Sequence, residues 1–300
     1  MAIKIYIGKQ DTEKVKCVDS KLIDAGATDF AIDENITALE SEVFNDLAAK
    51  GDSVVGKIEV SGNIPIELSE KVLEELLPGL SYKKGATDYK MDSSKPAFYT
   101  VVLTDTETNE KWEYADCVIS NLTVNIVLGG YVKGTIGIIG KTYEIGSGKV
   151  TGAKERGESL RCLYSNINLD GSDISEDIEG VDIEVDNGIE AKGSLNSLYN
   201  TKIRRTKQVQ TKVNIQKNEY DGTQFKAMKT KMIAGTAVSA TIKLGTASVA
   251  DQIIIVAPKL YINSNKRGDY RGAGTHDIEL QASVSNVENS HLKITFKKVD

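Results

Sequence analysis

Proline is scarce in this 300-residue chain, with four residues, so long stretches can pair backbone to backbone without interruption. Cysteine is scarce too. Cys17, Cys117 and Cys162 are widely spread and odd in number, which argues against a disulfide scaffold or a Cys-x-x-Cys centre. They read as reduced thiols of a protein made in cytoplasm. The two histidines, His276 and His291, have no ligand-spaced partners, so neither a zinc site nor a His-centred triad is announced. Aromatic residues make up only 6%, mostly Tyr, so the core must rest on Val, Ile and Leu, a composition that favours sheet. A basic excess is also missing. The net charge is −6 and the pI about 5.3, whereas a chain that grips nucleic acid usually shows a basic surface. No apolar run approaches membrane-spanning length, and Met1 to Gly8 lacks the pattern of a signal peptide.

Present instead is a pattern written twice. Val118, Gly130 and Ile136 recur as Leu260, Gly272 and Ile278, each 142 positions on. Hydrophobic content of 40% supports packed cores in two domains of ordinary size. Each copy is expected to start with a short strand, Phe30–Asp33 or Val181–Asp186. In the second, Val181, Ile183 and Val185 alternate with Asp182, Glu184 and Asp186, the mark of a half-buried strand. Long polar connections follow, Asn35–Val55 and Asn187–Thr206. The first has room for a short helix over Thr37–Lys50. Strands are then expected over Gly56–Leu68 and Lys207–Gln216, with Pro65 marking an edge or bulge. Helices capped by Ser69 and Asp221 come next. The first carries Val72, Leu73, Leu76 and Leu77 and stops at Pro78-Gly79; the second carries Phe225, Met228, Met232 and Ile233.

Three strands close each copy: Phe98–Asp105, Lys111–Ile126 and Tyr131–Lys141, then Ala237–Leu244, Gln252–Asn263 and His276–Asn286. A last strand, His291–Lys298, is expected in the second copy alone. The Gly- and charge-rich stretch from Gly146 sets the boundary, giving modules 1–148 and 149–300. The expected fold is mainly β: a β-sandwich or partly closed barrel with a flanking helix, in two tandem copies.

No catalytic, cofactor or metal site survives inspection. Gly134-Thr-Ile-Gly-Ile-Ile-Gly-Lys-Thr fails the spacing of a phosphate-binding loop, and its isoleucines suit a buried strand. The acidic run from Asp170 lacks calcium-loop spacing and reads as a solvated turn. Lys202, Arg204, Arg205 and Lys207 form a basic cluster. It is either a solvated loop or an electrostatic contact with an acidic neighbour; phosphate binding is third, for want of interleaved aromatics.

Gly56-Lys-Ile-Glu-Val-Ser-Gly-Asn-Ile-Pro-Ile-Glu-Leu, followed by a short helix, resembles the tail tube proteins of long-tailed bacteriophages. So do Tyr114-Ala-Asp-Cys-Val-Ile-Ser-Asn-Leu-Thr-Val-Asn with the glycine-rich strand after it, and Val185-Asp-Asn-Gly-Ile-Glu-Ala-Lys. The resemblance implies a structural virion protein, not an enzyme and without cofactors, assembled in the cytoplasm of a bacterial host. Rings stack into a hollow tube that conducts DNA at ejection without binding it specifically. A doubled module implies homotrimeric, pseudo-hexameric rings, with a hexamer as the alternative, and contact with other tail proteins but no membrane. Glu59, Asn63, Glu67, Asp182, Glu184 and Asp186 are lumen candidates, although alternation alone equally allows an outer solvated face. The basic cluster is the candidate inter-ring contact. A two-domain β-sandwich adhesin is the alternative function.

Overall fold

Alternating aliphatic and polar segments pair into an extended network of antiparallel strands in the computed structural model, which describes residues 3–40, 53–92, 95–194, 197–218, 221–248, 252–270 and 273–297. The first half contains β1 (Ile3–Lys9), β2 (Ile23–Asp24), β3 (Ala31–Glu40), β4 (Ser53–Glu67), β5 (Tyr82–Lys84), β6 (Asp88–Met91), β7 (Tyr99–Asp105), β8 (Glu110–Val127), β9 (Lys133–Gly140) and β10 (Thr142–Ser147). Helix α1 (Glu70–Leu76) lies between β4 and β5. The second half contains β11 (Arg161–Leu169), β12 (Ser172–Asp173), β13 (Ile178–Asp186), β14 (Ile189–Lys192), β15 (Lys202–Arg205), β16 (Gln210–Lys217), β17 (Val238–Gly245), β18 (Ile253–Tyr270), β19 (Ala273–Ala282) and β20 (Lys293–Phe296). Helix α2 (Gly222–Ala234) lies between β16 and β17. The expected mainly β fold is the one the chain adopts.

In the first half β1 pairs with β2 and β7, β7 with β8, β8 with β9 and β10, β9 with β4, and β4 with β3. In the second half β11 pairs with β12 and β17, β17 with β18, β18 with β19 and β20, β19 with β16, and β16 with β13. The partner order is the same in both. The halves join where β8 pairs with β13, and again where β20 pairs with β6, which also pairs with β5. One sheet therefore runs β3-β4-β9-β8-β13-β16-β19-β18. Its apolar face carries Ile64, Ile136, Leu122, Val185, Val213 and Leu280, all buried in a core cluster that passes through both halves. At the crossing of β3 and β4 the backbones come very close: a Cβ on Gly62 would sit 2.0 Å from the Ala31 carbonyl oxygen, so only glycine fits.

Several local expectations change. Asn35–Glu40 is not loop but the continuation of β3, laddered against Ser53–Glu59. Residues 41–52, the centre of the expected helix, lie outside the described residues. The connection after Asn187 likewise contains a hairpin, β14 on β15. In both cases hairpin pairing supplies the backbone hydrogen bonds within a stretch read as loop. The β1 and β11 strands precede the expected first strands, and β10 gives the first half a partner for β8 like that of β20 for β18, so the last strand is not confined to one half. Pro65 is tolerated because the β3 ladder has ended at Ala31–Asn63.

The helices also depart from expectation. Ser69 stands at the N-cap of α1, but its hydroxyl donates to the Arg156 carbonyl (2.6 Å) instead of capping. The helix ends at Leu76, and Leu77–Leu80 continue as a 3-10 turn. Asp221 does cap α2, accepting from the Thr223 (2.8 Å) and Gln224 (3.3 Å) amides, and Gly235 ends it at φ 62°. Met228 is buried, whereas Ile233, expected on the same face, is 77% exposed. Asp221→Ala should therefore cost about 1 kcal/mol, read as a lower thermal midpoint with unchanged strand signal in circular dichroism.

Candidate functional site

Strand alternation sends one set of side chains into the core and the other to a polar face of the eight-stranded sheet. Register aligns that face in rows. Asn63 lies opposite Gly137, Gly137 opposite Asn121, Asn121 opposite Asp186, and Asp186 opposite Gln210. The next row runs Thr135, Thr123, Glu184, Lys212 and Gln281. A third runs Glu67, Lys133, Asn125, Asp182, Asn214 and Glu279. All six residues singled out in the sequence, Glu59, Asn63, Glu67, Asp182, Glu184 and Asp186, thus share one face. The sequence reading missed their amide and hydroxyl neighbours on it, Asn121, Thr123, Asn125 and Asn214, because β8 and β13 are far apart in the chain.

The six differ in their local partners. Asn125 Nδ2 donates to Asp182 Oδ1 at 2.8 Å across the β8–β13 seam. Lys212 Nζ lies 3.7 Å from Glu184, and Lys57 pairs with Glu59. The Asp186 carboxylate turns back to accept from the Gly188 amide (2.8 Å), and Glu67 is held by Arg156 (3.6 Å) and the Ser159 hydroxyl (3.3 Å). The Lys212–Glu184 and Lys57–Glu59 pairs are solvent-accessible and each contribute roughly 1 kcal/mol at most, so their charges remain effective outward. The face is acidic and rich in amides.

The four residues of the basic cluster differ in their surroundings. Lys202, Arg204 and Lys207 are exposed, with Arg204 opposite Glu190 in the β14–β15 hairpin. Arg205 turns inward: Nε donates to the Asn187 carbonyl (3.2 Å), and Nη2 to Asn187 Oδ1 (2.7 Å) and to the Ser81 hydroxyl. Burial pulls its guanidinium below the usual range. Asn187 is fully buried, and its Nδ2 donates to the carbonyls of Gly79 (2.8 Å) and Ile119 (3.0 Å). This knot ties the hairpin to the turn after α1 and to β8. The four cations line a cleft of about 1080 Å³ that also borders Lys95, Lys141 and His291.

Among the described residues no group of three His, Cys, Asp or Glu side chains is set to hold a metal ion. His276 is buried against Asn265 and Phe225, and burial holds its imidazole below the usual range. Gly134 to Gly140 form β9, a paired strand and not an open loop. No helix among the described residues is long and apolar enough to cross a membrane.

Comparison with curated proteins finds none that matches. The family described as phage tail tube protein matches over residues 2–285, nearly the whole chain. A mainly β chain whose largest sheet turns a polar, acidic face outward thus belongs to the phage tail tube protein family, a structural component of the virion tail.

Proposed function

We propose that the chain is two equivalent staves of a tail tube, residues 1–148 and 149–300, and that three copies close a pseudo-hexameric ring. Stacked rings form the conduit through which viral DNA leaves at ejection; assembly takes place in the bacterial host cytoplasm. The observation that carries this reading is the identical order of strand partners in the two halves. Bulges recur at matching points, between Tyr99 and Val101 and between Val238 and Ala240, then between Ile119 and Asn121 and between Ile262 and Ser264. These matches favour pairing Cys117, and not Val118, with Leu260, a shift of 143 positions in β8 and β18. In β9 and β19 the shift is 142, matching Ile136 with Ile278. Gly272 lies outside the described residues.

Four strands from each half would contribute to the wall, about twenty-four in a ring of three chains, and barrels of that size leave an aqueous channel. Glu59, Asn63, Glu67, Asp182, Glu184 and Asp186 would face the lumen. Their charge repels phosphate, so DNA slides without adhering. Negative-stain imaging of the purified chain tests this: rings or rods of uniform bore are expected, and a solitary monomer at high concentration would refute it.

Lys202, Arg204 and Lys207, exposed beside the cleft, are proposed to contact an acidic surface of the next ring. Arg205 is already committed to Asn187 and Ser81, so a charge reversal there would disturb folding as well. The cleaner test is Lys202→Glu with Arg204→Glu. Rings should persist while mean rod length falls severalfold in electron micrographs; unchanged rods would remove the role.

A further inference from the structure

The seam inside the chain is a template for one that the single chain leaves open. β8 and β13 pair antiparallel from Gly180–Val127 to Asp186–Asn121. The matching bulges carry Asn121, Thr123 and Asn125 of β8 onto Ser264, Lys266 and Gly268 of β18. The β9 and β19 ladders carry Asn63 of β4 onto Asn214 of β16, and hence Ala31, Asp33 and Asn35 of β3 onto Asp182, Glu184 and Asp186 of β13. The counterpart of the β8–β13 seam is therefore a β3–β18 seam. Among the described residues β3 ladders only with β4, and the Ser264–Tyr270 end of β18 only with β19. These are the two edges of the eight-stranded sheet, and no ladder joins them.

We propose that β3 of one copy adds to the distal half of β18 of the next copy, antiparallel and in the register that sets Asp33 opposite Lys266, Ala31 opposite Gly268 and Asn35 opposite Ser264. This rests on the ring reading above and specifies its joint. Exposed edges with unpaired amides are hazards in a monomer and fasteners in a closed ring.

Two further observations identify the occupant as a second copy. The first is charge. Asp33 of β3 and Lys266 of β18 stand at mated positions, and Glu34 and Arg267 lie one residue along from them. Where the internal seam sets Glu184 against Thr123, the open one sets an exposed carboxylate against an exposed ammonium. The second is the arm beyond each seam. After β13, the β14–β15 hairpin lies back on the first half: Ile58 N donates to the Leu198 carbonyl (2.7 Å), and Tyr199 packs on Tyr143 (6.4 Å between rings). In the equivalent arm, formed by the far ends of β3 and β4, Ile36 is 56% and Val55 50% exposed. The second half of the next copy is where the same operation would cover them.

Paired cysteines test the register. In antiparallel pairs, directly opposite residues have Cα separations that a disulfide spans. Oxidised Asp33→Cys/Lys266→Cys protein should give intermolecular covalent oligomers ending at one closed species on a non-reducing gel. Asp33→Cys/Gly268→Cys, displaced along the same face, should cross-link at least about tenfold more slowly. Both single-cysteine variants control for Cys17, Cys117 and Cys162. In a second measurement, Asp33→Lys or Lys266→Asp alone should raise the concentration needed for rings roughly fivefold, and the two together should restore it. Rings that form while the displaced pair links as fast, or while the double reversal restores nothing, would overturn this register and leave the tube reading standing. A wild-type chain that never self-associates would overturn both.

Discussion

Replacing Asn187 with Ala should lower folding stability by about 3 kcal/mol, one of the largest losses any polar substitution here should produce. Its amide is fully buried and contacts the Gly79 carbonyl, the Ile119 carbonyl, the Arg205 guanidinium and the Ser81 hydroxyl (3.5 Å). Truncation leaves two carbonyls without their donor and a half-buried cation without one of its acceptors. Arg205→Met leaves Asn187 its two backbone contacts and should cost less, about half as much. Urea denaturation of dissociated protein measures both. A loss below about 1 kcal/mol for Asn187→Ala would mean that water replaces the side chain in the knot.

Reversing the charge of the polar face should create a surface that binds DNA. Glu59→Lys with Glu184→Lys spares the Asp182–Asn125 seam bond and the Asp186 turn. Because these carboxylates are accessible and only in surface ion pairs, the fold should lose little beyond about 1 kcal/mol. Rods of this variant should bind double-stranded DNA at low salt. Affinity should fall about a thousandfold between 50 and 200 mM salt, as counterion release requires for several phosphate contacts. Fluorescence anisotropy of labelled DNA reads the effect. Wild-type rods should give no signal, and a variant equally silent would move these residues away from the channel.

Much of the sheet was legible because burial enforces period two. Val181, Ile183 and Val185 announced β13, and Ile58, Val60, Ile64 and Ile66 announced β4, each with the correct inward face. The six polar-face residues followed from the same alternation. What alternation cannot carry is a bulge. Asp116, at φ 51°, belongs to the one that breaks the β7–β8 register, and each such insertion turns later side chains to the other face. Matching Val118 with Leu260 assumed one constant spacing, whereas in the alignment proposed above the shift is 143 throughout β8 and 142 in β9, a one-residue difference that falls in the turn between them. Connection length also concealed the arms: Asn35–Glu40 and Lys202–Arg205 fall within long stretches read as loops and still form strands, since a hairpin supplies their hydrogen bonds locally. Arg205 read as one cation among four because its partners, Ser81 and Asn187, reach it only through the tertiary fold.

The β8–β13 seam has a kinetic consequence. A joint between two halves of one polypeptide closes as the chain folds and needs no encounter between molecules. In a ring of three such chains, every second joint is complete before the subunits meet. Nucleation from dilute solution should then vary with about the third power of subunit concentration, where unfused halves would demand about the sixth, so a tail could begin growing while its protein is still rare in the infected cell.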